Sequence, residues 1–153
     1  IDLFSESNIE IDVYGLGNEK KSLVEYSKLK NTKINFLGRV ENKILLSKLQ
    51  KHKFYITTSS FEGNPKTVLE AMSRGCVVFA SKIPSHEEII NHLEDGFLFD
   101  FNEKSTLDNI KEVMGNKELV KKISINARLR VANKNNINNL LKQEMNDYQS
   151  IIN

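Results

Sequence analysis

Cys76-Val77-Val78-Phe79-Ala80 is an unbroken apolar run set between Gly75 and Ser81. A strand with one wet face alternates apolar and polar residues. A continuous run predicts a strand covered on both faces, as in a parallel sheet between layers of helix. The rest of the chain reads around that strand. Ile9, Ile11 and Val13 alternate with Glu10, Asp12 and Tyr14 and stop at Gly15-Leu16-Gly17, a strand of period two ending in a glycine turn.

Asn18 is a candidate cap for a helix carrying Leu23, Val24 and Leu29. A second strand covers Ile34 to Leu37, closed by Gly38, and Ile44, Leu45, Leu46 and Leu49 form one face of a short helix. Phe54-Tyr55-Ile56 begins a third strand that runs into Thr57 and Thr58. After a loop, a helix is expected over Thr67 to Arg74. Pro84 opens another helix carrying Ile89 and Ile90, and Gly96 to Phe99 is the final strand. A helical tail covers about 104–153, with Leu119, Val120 and Ile123, then Leu140, Leu141, Met145 and Tyr148, as apolar stripes. This alternation implies βα units in a mainly parallel α/β sheet flanked by helices, forming a single domain over 1–153. Such sheets bind ligands beyond the C-terminal ends of their strands, which directs attention to Gly15, Gly38, Ser59 and Ser81.

Charge narrows the function. The 22 basic and 20 acidic residues leave a net charge of only +2. No strong field results, and no basic patch is interleaved with stacking aromatics, so nucleic acid is not an expected partner. No apolar run approaches the roughly 20 residues needed to span a bilayer, and there is no signal-peptide pattern. Cys76 is the only cysteine, which excludes an internal disulfide, makes a reducing cytoplasmic setting the default, and reads as a small core residue. No His/Asp spacing suggests a metal site, His52 and His92 included. His86 reads either as a cleft residue or, favoured by its helix-start position, as a surface histidine. The pairs Lys20-Lys21 and Lys121-Lys122 read as solvated helix faces, and Asn135, Asn136, Asn138 and Asn139 as a junction or a solvated face.

The densest chemistry lies between Ser59 and Glu70. Asn64 is a permitted N-cap and Pro65 suits a first helical position. That start would leave backbone N–H groups near Lys66, Thr67 and Val68 pointing at the sheet edge, an arrangement that attracts phosphate. Lys66 in the first turn opposes the helix dipole. It reads equally as a partner for a bound diphosphate and as a solvated lysine. Glu70 sits about a turn and a half into the helix from its start, too far for a close acid–base dyad with Glu62. As separate carboxylates they suit hydroxyl binding. Loop capping by Glu62 and a surface or network role for Glu70 stay open on these residues alone.

The segment resembles the C-terminal domain of the retaining glycosyltransferases of family 4, enzymes built from two Rossmann-like domains in the GT-B arrangement. The likeness rests on Glu62 and Glu70 in their spacing, on Ser59, Gly63, Leu69-Glu70-Ala71-Met72, Gly75 and Val77-Val78, and on Pro84, Glu88-Ile89-Ile90 and Asp95-Gly96 in order. Upstream, Val13-Tyr14-Gly15-Leu16-Gly17 and Ile34-Asn35-Phe36-Leu37-Gly38 match the usual glycine-ended strands, so the resemblance covers about residues 9–100. The Glu62-to-Glu70 wording is especially like enzymes of capsule, O-antigen and related lipopolysaccharide synthesis.

By that resemblance the substrate is a nucleotide diphosphate-sugar, a UDP-sugar being favoured, with no further cofactor and no metal. Glu62 would hold donor-sugar hydroxyls as the principal catalytic-site residue. Gly63, Asn64, Pro65, Lys66, Thr67 and Val68 would surround the sugar and diphosphate, and Glu70 would hold the ribose. Gly38, Arg39 and Val40 would line the base pocket, and Gly15 and Gly17 the cleft. The acceptor would be a saccharide or lipid-linked hydroxyl, with the full-length enzyme cytoplasmic or peripheral at the inner membrane face. The family's earlier strand, with its glycine-arginine and Lys-Gly segments, does not precede Ile9, nor does an acceptor-binding domain. The expectation is therefore a piece of a larger enzyme, inactive by itself. A dinucleotide enzyme is disfavoured because position 20 is Lys where the third fingerprint glycine belongs. A noncatalytic nucleotide-sugar-binding or interaction module is the alternative.

Overall fold

A computed structural model describes residues 1–5, 7–103 and 105–134. The chain forms two compact units, 1–45 and 46–153. In the first, a 3-10 turn at Asp2–Phe4 precedes β1 (Glu10–Tyr14), α1 (Lys20–Leu29) and β2 (Lys33–Gly38). β1 and β2 pair in parallel from Glu10↔Lys33 to Val13↔Phe36, and an irregularity then sets Tyr14 opposite Gly38. Gly15 and Gly38, at φ +130° and +71°, turn the chain out of both strands, and the Gly15 N–H donates to the Gly38 carbonyl at 2.8 Å. Asn18 is not the cap of α1. The Glu19 carbonyl accepts the first intrahelical bond, from Leu23 N–H at 2.9 Å, while Asn18 lies in the preceding turn.

α2 (Asn42–Leu49) carries the chain from one unit to the next. The second unit contains β3 (Phe54–Thr57), α3 (Lys66–Ser73), β4 (Val77–Ser81), α4 (Pro84–Glu87), β5 (Phe97–Phe99), α5 (Thr106–Gly115) and α6 (Lys117–Lys134). β4 is central in a parallel β3-β4-β5 sheet, with Tyr55 opposite Val78 and Phe79 opposite Phe97. The parallel strands thus lie in two sheets, of two and three strands.

The apolar run fulfils its prediction, since all five β4 residues are buried. Every buried apolar side chain among the described residues belongs to the second unit. Phe79 stands between Phe54 and Phe97, with ring centroids 5.9 and 5.7 Å away. Ala71 and Met72 of α3 and Ile123 and Ala127 of α6 are also fully buried. Each large apolar group contributes roughly 1.5–3 kcal/mol by leaving water.

α4 is shorter than expected. It ends at Glu87, because the His86 carbonyl accepts from both Ile89 and Ile90 N–H groups and the ladder tightens into a turn. Ile90 is nevertheless buried beside Gly96, where an added Cβ would meet Ile90 Cγ2 at 2.7 Å. Of the expected tail, α5 and α6 are present, and α6 packs on α3 and β4. The stripe at Leu140, Leu141, Met145 and Tyr148, and the Asn135–Asn139 cluster, lie outside the described residues.

Candidate functional site: the loop between β3 and α3

Thr58 to Pro65 connect the C-terminal end of β3 to α3. Pro65 is not the first helical residue and Asn64 is not the cap. At φ −80°, ψ 61°, Pro65 caps α3 from the centre of a three-residue turn closed by Lys66 N–H donating to the Asn64 carbonyl at 2.8 Å. The proline ring fixes the φ this turn needs. Val68 N–H donates to the Pro65 carbonyl at 3.0 Å. Of the three donors expected to be exposed, two are therefore occupied. Thr67 N–H, with those of Gly63 and Asn64, has no acceptor among the described residues. Gly63, Asn64 and Lys66 are exposed, whereas Pro65 and Val68 are buried and anchor the turn.

Glu62 is half-buried, and its Oε1 accepts from Ser59 Oγ at 3.2 Å. Ser59 Oγ also lies 3.3 Å from Thr57 Oγ1. Glu70 is half-buried on α3 and makes contacts of its own. Both carboxylates act electrostatically on Tyr55. Burial first, and then the charges of Glu62 and Glu70, push the Tyr55 hydroxyl up to about 12. Tyr55 is thus a side chain on which both glutamate charges act. Its place in an ordinary apolar strand gave no sign of that.

The end of β4 supports the loop. The Ser81 hydroxyl donates to the Ser59 carbonyl, and the Ser81 carbonyl lies 2.8 Å from His86 Nδ1. His86 is therefore no surface residue. It has no exposed area, because the turn after Pro84 faces inward under the β4 end. Cys76 is a core residue as expected, fully buried, with Sγ donating to the Leu49 and His52 carbonyls.

Gly15, Gly17, Gly38, Arg39 and Val40 belong to the first unit, around the ends of β1 and β2. Arg39 is exposed and Val40 half-buried. Glu62 to Glu70 belong to the second unit. A cavity of about 610 Å³ also lies in the second unit, lined by β5, α5 and Lys82, but it includes none of the expected site residues. Among the described residues, no group of three His, Cys, Asp or Glu is arranged to hold a metal ion, and no helix is long and apolar enough to cross a membrane.

The parallel sheets flanked by helices form an α/β fold that matches GT-B glycosyltransferase structures. The model of the family "Glycosyl transferases group 1" matches residues 1–130, and the chain belongs to that family. No curated protein sequence matches the chain. Among solved structures, S. aureus TarM in complex with UDP, fondaparinux and an α-GlcNAc-glycerol superposes with a TM-score of 0.81 at 22% identity, over 95% of this chain and 30% of that one. Anabaena HepE in complex with UDP and glucose gives 0.76 at 22%, over 92% and 40%. The C-terminal domain of LpcC, a glycosyl transferase group 1 protein of Francisella tularensis, gives 0.68 at 27% identity, over 77% and 63%. The chain thus spans well under half the length of the first two.

Proposed function

We propose that this chain is the donor-binding, C-terminal half of a two-domain family 4 glycosyltransferase. The full-length enzyme would transfer a sugar, with retention, from a nucleotide diphosphate-sugar to an acceptor hydroxyl. The observation that carries this reading is that the Glu62 and Glu70 charges both act on Tyr55, beside a helix start with free N–H groups and Lys66. Glu62 holds donor-sugar hydroxyls and Glu70 the ribose. Gly63, Asn64 and Thr67 N–H groups, with Lys66, receive the diphosphate as its leaving oxygen gains charge. Pro65 and Val68 shape the turn. Gly15, Gly17, Gly38, Arg39 and Val40 serve the base and the cleft. Glu62 is a positioning group for the sugar rather than a covalent nucleophile.

The UDP bound in TarM and HepE supports a uridine donor here. Cell-surface polysaccharide synthesis is the proposed setting, with a saccharide or lipid-linked acceptor. The exposed Lys20-Lys21 and Lys121-Lys122 pairs suit the inner face of an anionic membrane. The 153-residue chain alone is expected to form no product.

Calorimetry of UDP-, GDP- and ADP-sugars on the full-length protein, with turnover of Glu62→Ala and Glu70→Ala, tests this. Glu62→Ala should lower kcat about 100-fold or more, and Glu70→Ala should mainly weaken nucleotide binding. Unchanged rate and affinity in both variants would reject the assignment. Donor binding with no turnover in the unaltered protein would favour a noncatalytic binding module.

A further inference from the structure

A chain of hydrogen bonds links a buried histidine to the Glu62 carboxylate. His86 Nδ1 lies 2.8 Å from the Ser81 carbonyl, and a carbonyl only accepts, so Nδ1 carries the proton. Ser81 is itself buried and directs its hydroxyl onto the Ser59 carbonyl. Ser59 Oγ then reaches Glu62 Oε1 at 3.2 Å. Three separate segments, the α4 turn, the β4 end and the β3–α3 loop, are thereby fixed to one another.

Packing alone does not explain a histidine at this place. His86 has no exposed area, and its Nε2, like the neighbouring Ser85 Oγ, has no partner among the described residues. An unpaired buried polar nitrogen costs stability that an apolar side chain would not lose. What the imidazole supplies is the Nδ1 donor aimed at Ser81. The link matters because Gly63 and Asn64, immediately beyond Glu62, are exposed and make no backbone bond of their own through N–H. The Ser59 end thus holds the Glu62 half of the loop, as Pro65 and Val68 hold the other.

We infer that His86 is a positioning residue of the donor site. Acting through Ser81 and Ser59, it holds the loop in the conformation that presents Glu62 to the donor sugar. This rests on the role proposed for Glu62. The full-length transferase should be assayed as His86→Leu, His86→Asn, Ser81→Ala and the double variant His86→Leu/Ser81→Ala, beside Glu62→Gln. Leucine removes the donor, whereas the asparagine amide restores an N–H near the Nδ1 position. His86→Leu should lose about tenfold or more in kcat, since small misplacements of positioning groups cost that much. Donor KM should hardly change, and His86→Asn should recover most of the rate. In the Ser81→Ala background, His86→Leu should add little, because the link is already cut.

A folded His86→Leu enzyme with unaltered kcat, or losses that multiply in the double variant, would overturn the inference. Should His86→Leu not fold, His86→Asn against His86→Gln decides. Glutamine reaches the Nε2 position instead, so equal rates in the two would overturn the inference as well. Glu62→Gln separates the two claims. If it turns over normally, the Glu62 reading fails and this one with it, whereas a slow Glu62→Gln beside a normal His86→Leu sinks only the histidine.

Discussion

Arg128 of α6 donates through Nη2 to the Arg74 carbonyl at 2.9 Å, and this lays its guanidinium across Gly75. Gly75 has φ +82°, and a Cβ there would fall 2.4 Å from Arg128 Nε. Two costs therefore meet at one position, a left-handed backbone and a side-chain collision. Gly75→Ala should destabilise the protein by about 1–2 kcal/mol from the backbone alone. Arg128→Ala on top should relieve the collision and not the backbone cost. Urea denaturation of the single and double variants measures both; a Gly75→Ala protein as stable as the parent would contradict the account.

Cys76 should be inert in the native protein. Burial pushes its thiol up to about 11, and the sulfur lies against the Leu49 and His52 carbonyls. Little thiolate exists near pH 8, and no reagent can reach it. Ellman titration should find no reactive thiol until denaturant is added. Rapid native labelling would show that the β4 start opens readily.

Tyr55 should make the fold sensitive to alkali. An ordinary tyrosine ionises near 10, and Tyr55 is pushed up to about 12. The folded state thus retains the proton that the unfolded chain loses. The stabilisation is fully present below pH 10 and is lost as pH rises through about 12, by up to roughly 3 kcal/mol. Tyr55→Phe should lack this loss, so the stability difference between parent and variant should change between pH 9 and 12. A constant difference would count against a half-buried phenol on which both carboxylate charges act.

Lys66 should show opposite signs with and without donor. It is exposed in the first turn of α3, where a cation opposes the dipole. Lys66→Gln should raise the stability of the unliganded protein by about 0.3–1 kcal/mol and weaken binding of the nucleotide diphosphate. Thermal denaturation and calorimetry check the two halves separately. If donor affinity does not fall, Lys66 is merely a solvated lysine.

The strongest local patterns in the sequence proved the most legible parts of the fold. β4 announces itself because burial on both faces demands an uninterrupted apolar run; of the glycine-ended strands, β2 alternates as its pattern predicts, whereas β1 is half-buried throughout from Ile11 to Tyr14. The start of α3 is misread by one residue. Cap preferences say which side chain can accept from a helix, but they do not reveal that Pro65 closes a tighter turn first. His86 is illegible for a different reason. Pro84-Ser85-His86-Glu87 is locally polar, and only the Ser81 carbonyl, supplied by another element, makes its burial tolerable. The same holds for Tyr55, whose two glutamates come from a loop and a helix beyond its own strand.

The contacts of α6 bear on the order in which the chain can become stable. Ser124 Oγ reaches the Gly75 carbonyl, Asn126 the Glu94 carbonyl, and Arg130 both Asp95 and the Glu88 carbonyl. Each joins residues 32 to 49 positions apart. Closing such loops must precede any reward from the contacts they bring together. A nascent chain that has extended only through β5 already contains β3, β4 and β5, with Ser81 holding the Ser59 loop, yet the turns at Gly75, Glu88 and Asp95 still lack their α6 partners. Those turns gain their partners only once residue 130 has emerged, so α6 completes the packing of β3, β4 and β5 after the strands themselves are made.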